Sequence, residues 1–530
     1  MNRPDEPSIA ELMAQLAANA AEIAALKAEK EALSARVVKL EEELALARLH
    51  RFAPKSEKHV DRLFDEAEQV ADEEDAGDDD GDLVDLPDTG LASTEKLQGK
   101  KRGRKPLPAH LPRERVEYDL TDDEKACPCC HHQMHRMGEA VSEQLHIEVK
   151  AKVLQNVRFK YACRHCDRTG INTPVVLAPM PAQPLPGSIA TASTLAFALV
   201  HKYVDGTPLY RLSQAFERAG VPISRGALGH WVIGSSERHL SRIYDALKLR
   251  LRAQPLVHGD ETTVQVLKEK DREATSTSYM WAYRSGEDSN EPIVLLDYQP
   301  GRGQIYPQAF LGDYRGILMS DGYTAWRTLE GATHLGCMAH SRRRFVDALK
   351  TRKKGGGPPE QALKFFEQLY RIESQARVEK AEAGEMQAEC IRRFRRQHSV
   401  PILNALKAWL DDIAPKVLPE SKIGDAVSYT LNQWEYLTRY TQDGRMPIDN
   451  NLLERDIRIF ATGRKSWLFS DTADGAKASA VVYSIMLTCR ACGIEPLAYL
   501  RHILSELPQR ASDADISDLL PFNFARTATA

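Results

Sequence analysis

Residues 8–49 carry an unbroken heptad stripe. Ile9, Leu16, Ile23, Val37 and Leu44 occupy one seam position and Leu12, Leu26, Leu33 and Leu40 the other, with Asn19 and Lys30 as the polar members. Only a 3.5-residue repeat keeps such a stripe facing a partner, and a stripe this long without Pro or Gly dictates one continuous helix. The pattern predicts a leucine-zipper-like coiled coil over residues 8–50 in a homo-oligomer of at least two copies, with Asn19 placed to fix register. A lone surface helix is the competing reading; the alanine-rich flanks suit association better.

At 530 residues the chain exceeds what one hydrophobic core supports, so several domains are expected. No run approaches the roughly 20 apolar residues of a membrane span. No basic stretch followed by an apolar segment and a cleavage site opens the chain, so no membrane association and a cytoplasmic location are expected. The net charge of −4 is unevenly spread. Between Glu57 and Asp88, fifteen acidic residues stand against Lys58 and Arg62, so the remainder of the chain is basic by about nine charges. A basic body beside an acidic tether points to a polyanionic partner. Residues 51–106 are expected to be a disordered acidic linker that ends in the basic run Lys100–Pro106. In that run Arg104 and Lys105, beside Gly103, suit either a minor groove or backbone phosphates.

Two cysteine pairs follow. Cys127 and Cys130 make one C-x2-C knuckle, and Cys163 and Cys166 make another. Four thiolates in this spacing match a closed structural Zn2+ site, with Cys129, His131, His132 and His165 near enough in sequence to take the place of one of them, so residues 107–175 are read as a zinc-ribbon-like module. The alternating stretch from Gln144 to Tyr161 is read as a hairpin joining the knuckles. Cys489 and Cys492 look like core residues of a helix. Residues 187–245 are read as helical. Within them Pro208–Trp231 has the form of a helix-turn-helix: Leu209, Leu212 and Phe216 line one face, Gly220 turns the chain and Ser224 caps the second helix. Arg225 and His230 are its candidate DNA contacts, and a helical hairpin that only packs a core is the competing reading.

From Pro255 the periodicity becomes that of strands. Leu256–Val266 carries Asp260 in mid-run, Tyr279–Tyr283 and Ile293–Asp297 follow, Gly316–Ser320 delivers Asp321 at its end, and Thr333–Cys337 leads into a helix with His340. Two carboxylates on neighbouring strands can share cations. Two Mg2+ (or Mn2+) ions promote in-line displacement at phosphorus, and hard oxygen ligands suit them. A third carboxylate is expected on a later helix, among Asp449, Glu454 and Asp456. Asp449 stands where an N-cap belongs, and helical periodicity leaves Glu454 and Asp456 unresolved.

The motifs HGDET, SDGY, CMAHSRRRF and DNNLLERDIR followed by GRKSWLF resemble those of insertion-sequence 66 family transposases. RFAPKSEK, GRKPLP and the four-cysteine module resemble them too, in the same order over nearly the whole chain. The resemblance implies an Asp-Asp-Glu triad of Asp260, Asp321 and Glu454. It also implies DNA cleavage and strand transfer at element ends and target DNA, together with two small accessory proteins of the same element. Met338 and Ile459 depart from the family's usual Trp and Pro. The resulting expectation is a multidomain α+β protein. Its ribonuclease-H-like catalytic domain would span 250–475, with a helical insertion near 358–440 and a helical region over 476–530. Arg342, Arg343, Arg455, Arg458, Arg464 and Lys465 are placed to neutralise phosphates, and the cluster Arg392, Arg393, Arg395 and Arg396 to touch DNA backbone or form a solvated face. A non-catalytic DNA-binding regulator and a nuclease on the same fold are the alternatives.

Overall fold

The computed structural model describes residues 9–52, 151–161, 176–352, 357–382 and 387–524. The chain forms two units, one of Asp80–Pro179 and one of Met1–Asp79 with Met180–Ala530. Helix α1 (Ile9–Phe52) runs without a break through the heptad stripe. Its seam residues Leu16, Ile23, Leu26, Leu33, Val37, Leu40 and Leu44 are each at least half exposed in the single chain. Further along, Glu42 accepts a 2.7 Å hydrogen bond from the Lys422 backbone amide.

In the smaller unit, β1 (Lys160–Tyr161) pairs antiparallel with β2 (Val176–Leu177). Residues 151–159, expected to be strand, carry no regular structure, and their side chains are exposed. An alternating pattern holds a strand only where one face is buried, and here none is.

The larger unit continues with α2 (Ala192–Tyr203), α3 (Leu209–Arg218), α4 (Arg225–Ser235) and α5 (Ser241–Arg252). Gly220, at φ +79°, turns the chain between α3 and α4, a backbone conformation costly to any residue with a Cβ. The Ser224 hydroxyl then accepts from the Ala227 amide at 3.1 Å, satisfying one of the open donors of α4.

A mixed sheet follows, built from β3 (Leu256–Lys268), β4 (Thr277–Ser285) and β5 (Val294–Gln299), then β6 (Ile317–Ser320) and β7 (Thr333–Gly336) after the short helix α6 (Ile305–Leu311); α7 (Thr324–Arg327) lies between β6 and β7. The spatial order is β5-β4-β3-β6-β7. β4 is antiparallel to both its neighbours, whereas β3, β6 and β7 run parallel. Helices α8 (Met338–Lys350), α9 (Pro358–Glu382), α10 (Gln387–Ile413), α11 (Lys422–Asn432) and α12 (Trp434–Thr438) intervene before α13 (Asn451–Trp467). Strand β8 (Ser470–Thr472), which the sequence did not suggest, then pairs with the far half of β3, and α14 (Ala473–Ala491) and α15 (Pro496–Glu506) end the fold.

Both faces of the sheet are covered, which is why its strands are so apolar. Val257 and Leu318 pack into the larger core with α2–α5 and α13–α15. Leu256, Ile317, Met319 and Leu335 pack into a second core against α8–α12. At the sheet edge, the backbone amides of Val294 and Leu296 in β5 donate to the hydroxyls of Thr488 and Ser484 on α14. Among α9–α12, Arg395 is buried. It pairs with Glu373 at 2.7 Å and donates to the carbonyls of Tyr440 and Met446. Arg395 therefore holds the helical segment together and is not an exposed DNA contact. None of the described helices is long and apolar enough to cross a membrane.

Candidate active site

Strand parity places two of the candidate acids. Leu256, His258 and Asp260 share one face of β3, and Ile317, Met319 and Asp321 continue the same face along β6. Since His258 is in register with Met319, two further residues bring Asp260 level with Asp321 on the adjacent parallel strand. Asp260 Oδ1 accepts from the Glu261 amide at 2.8 Å, and Asp321 Oδ1 from the Tyr323 amide at 2.9 Å. Gly259 has a packing reason in the HGDET motif, because a Cβ there would stand 2.6 Å from the Trp326 ring.

The third position, ambiguous from periodicity, divides sharply in space. Asp456 is ion-paired with Arg284 of β4. Glu454 is 1% exposed, with Oε2 3.3 Å from Arg343 Nη2 and Oε1 3.6 Å from His340 Nδ1. Asp449 accepts from the Tyr370 hydroxyl and the Asn451 amide, while Asn450 is the residue at the helix start. Asn450, fully buried, joins the parts. Its Oδ1 meets His258 Nδ1 at 2.9 Å, its Nδ2 donates to Asp260 Oδ2 at 3.3 Å, and its amide donates to Cys337 Sγ at 3.2 Å.

Electrostatics reports the same convergence. Burial pushes the Asp260 carboxyl well above its usual range, and the negative charges of Glu261, Glu454 and Asp321 push it further. Burial and Asp321 raise Glu261 to about 7, against the pull of Arg302, with Trp326 Nε1 donating to it at 2.9 Å. His258 falls to about 4 because burial disfavours its cation. One oxygen of Glu454, Oε1, is buried and accepts no hydrogen bond. Among the described residues the potential metal ligands whose donor atoms all lie within 4.8 Å of one another are those of Cys337, His340 and Glu454. The oxygens of Asp260, Asp321 and Glu454 therefore do not meet as closely as that, although three carboxylates are the hard donors that Mg2+ or Mn2+ prefers.

The description "Transposase IS66 family" belongs to a family model that matches residues 187–478, more than half of the chain. The chain belongs to the IS66 transposase family. Other models match a zinc-finger binding domain of transposase IS66 at 124–167, a Transposase C of IS166 homeodomain at 39–116 and the IS66 C-terminal element at 484–522. Uncharacterized protein y4qI of Sinorhizobium fredii is 30% identical, covering 96% of this chain and 93% of its own length. Uncharacterized protein y4jD of the same organism is 32% identical, covering 83% and 86%. This is thus a member of a DNA-processing transposase family, with DNA-binding modules.

The IS66 zinc-finger match brackets Cys127, Cys130, Cys163 and Cys166. Those four cysteines lie outside the described residues, as do Arg104 and Lys105. Arg225 and His230 are exposed on α4. Arg343 faces Glu454, and Arg342 is half-buried beside it on α8. Arg464 donates to the Thr263 hydroxyl at 3.0 Å, tying α13 to β3, and Lys465 next to it is exposed. Arg455 and Arg458 line a cavity of about 430 Å³ with Tyr203 and Arg490. Cys489 is buried in α14. Sequence reasoning missed Asn450 and Glu261. The run Asp449-Asn450-Asn451 was a signal for the first, since an amide buried at a helix start needs partners.

Proposed function

We propose that this IS66-family chain is a DNA transposase whose ribonuclease-H-like domain cleaves and joins phosphodiesters with divalent cations held by Asp260, Asp321 and Glu454. The observation that carries this reading is that the β3–β6 register brings Asp260 level with Asp321 while Asn450, at the start of the helix that holds Glu454, hydrogen-bonds the Asp260 carboxylate. The sheet order β5-β4-β3-β6-β7, with its first pair of acids on adjacent parallel strands, supports the fold assignment. Bound there, Mg2+ or Mn2+ would supply charge stabilisation for an in-line displacement at phosphorus. The chain's own residues do the rest. Asn450 fixes the Asp260 carboxylate, and Arg343 steadies Glu454. Water, then a 3′ hydroxyl of the element end, is the nucleophile in this scheme.

Zn2+ on Cys127, Cys130, Cys163 and Cys166 would hold the small module together. Arg104, Lys105, Arg225, Arg342, Arg455, Arg458 and Lys465 are the proposed DNA contacts, and α1 brings two copies, and so two element ends, together. With element-end DNA and Mg2+, purified protein should nick and join, whereas Asp260→Asn should bind DNA and leave it intact. A variant that cuts as well as the unaltered protein would falsify the assignment; cleavage without joined products would favour a nuclease.

A further inference from the structure

The candidate acid cluster has a second set of donors at its border, softer than carboxylates. Cys337 is the residue before α8, and His340 lies three residues on, so the C-x2-H spacing turns both side chains to one side of the helix start. Glu454 reaches the same point from α13. The two helix starts are fastened together, since Asn450 N donates to Cys337 Sγ and Met338 N donates to the Ile448 carbonyl at 3.1 Å. One ligand atom each from Cys337, His340 and Glu454 lies within 4.8 Å of the others, and all three residues are buried.

Two observations point to a ligand. The first is the buried Glu454 Oε1, which accepts no hydrogen bond. The second is spacing. Donor atoms around one tetrahedral zinc ion stand roughly 3.3 to 3.8 Å apart, given zinc–ligand bonds of about 2.0 to 2.3 Å. His340 Nδ1 and Glu454 Oε1 already stand 3.6 Å apart. A thiolate, an imidazole and one carboxylate are the donor set of a borderline-soft cation, whereas Mg2+ takes oxygen. Three protein ligands leave the fourth position to water or a phosphate oxygen.

We propose that Cys337, His340 and Glu454 form a binding site for Zn2+, separate in donor chemistry from the Asp260–Asp321 pair and competing with it for Glu454. Zinc bound there holds Glu454 on the thiol side, so it inhibits Mg2+-dependent cutting. This consequence, unlike the site itself, rests on the catalytic role proposed for Glu454.

Metal content separates the two statements. Full-length protein is equilibrated with Zn2+, freed of excess and analysed for zinc per chain, then loaded with Co2+ and read by absorption. Cys337→Ser, His340→Gln and Glu454→Gln should each lose one zinc equivalent relative to the unaltered chain. Cys337→Ser should also lose one cobalt–thiolate absorption component, while Asp260→Asn keeps the full content. Serine can still accept from the Asn450 amide, and thermal melting of each metal-free variant checks the fold; His340→Gln carries the test if the serine variant melts early. Equal zinc content in the unaltered chain, Cys337→Ser and His340→Gln overturns the site. Loss of the equivalent in both variants, with cutting by the unaltered chain indifferent to Zn2+, keeps the site and overturns the role assigned to Glu454.

Discussion

Two acids two residues apart on a helix point roughly 200° away from each other and can have unrelated work, and Glu454 and Asp456 illustrate why their neighbours decide. Asp456 neutralises Arg284 in a nearly dry setting, so Asp456→Ala strands a buried cation at a cost of about 3 kcal/mol. A lowered denaturant midpoint would report it. Glu454→Gln should change stability less, because losing Arg343 as partner is offset by relief of repulsion with Asp260, yet it should abolish Mg2+-dependent cutting. If the two variants exchange these phenotypes, the geometric reading of α13 is wrong. Lys202 adds a pH signature. Burial lowers its ammonium from an ordinary value near 10.5 to about 8, beside the rings of Tyr203 and Trp467. Between those values the folded chain binds fewer protons than the unfolded one, so stability rises with pH across that window, and below pH 8 the cost of the charge is fully present. Lys202→Met should melt higher at pH 7 and show a flatter rise between pH 8 and 10.5.

At the scale of elements, α1 offers the plainest test. Its seam is exposed in one chain, so, on the association proposed through α1, the unaltered chain should sediment as a dimer or larger and Leu26→Lys with Leu33→Lys as single chains. An unchanged mass would overturn the association proposed through α1. The same helix shows what a sequence makes legible: a long stripe without breakers, the capping hydroxyl of Ser224, and the strands carrying Asp260 and Asp321 could all be read from local pattern. The face shared by those two acids could not, because it depends on β6, distant in sequence, lying parallel to β3 on the edge that its hairpin partner β4 leaves open. Nor could β8, only three residues long and held by β3. The stretch 151–159 misled because alternation alone does not supply a buried face. Arg395 misled in another way: four arginines in five positions look like a solvated patch, and one of them is a buried bolt across α9, α10 and the loop to α13.

For the whole molecule, the larger unit closes cationic side chains around a cavity. Arg455 and Arg458 project from α13, the helix that carries Glu454, and line that cavity with Arg490. A phosphate contact there predicts that Arg458→Ala weakens binding to DNA of any sequence alike. It should lower the slope of log affinity against log salt by about one. A slope unchanged within error would place Arg458 away from the DNA path. The long helical passage between β7 and α13 matters in a different currency, that of time. Asn450 stands 190 residues beyond Asp260, so at about 5 to 20 residues per second a ribosome completes the sheet's first acid roughly 10 to 40 s before the partner that fixes it. Until then the growing chain holds carboxylates without the geometry to use them. Premature termination anywhere in that passage leaves a product that carries Asp260 but lacks Asn450 and Glu454, and so lacks the site proposed for cleavage.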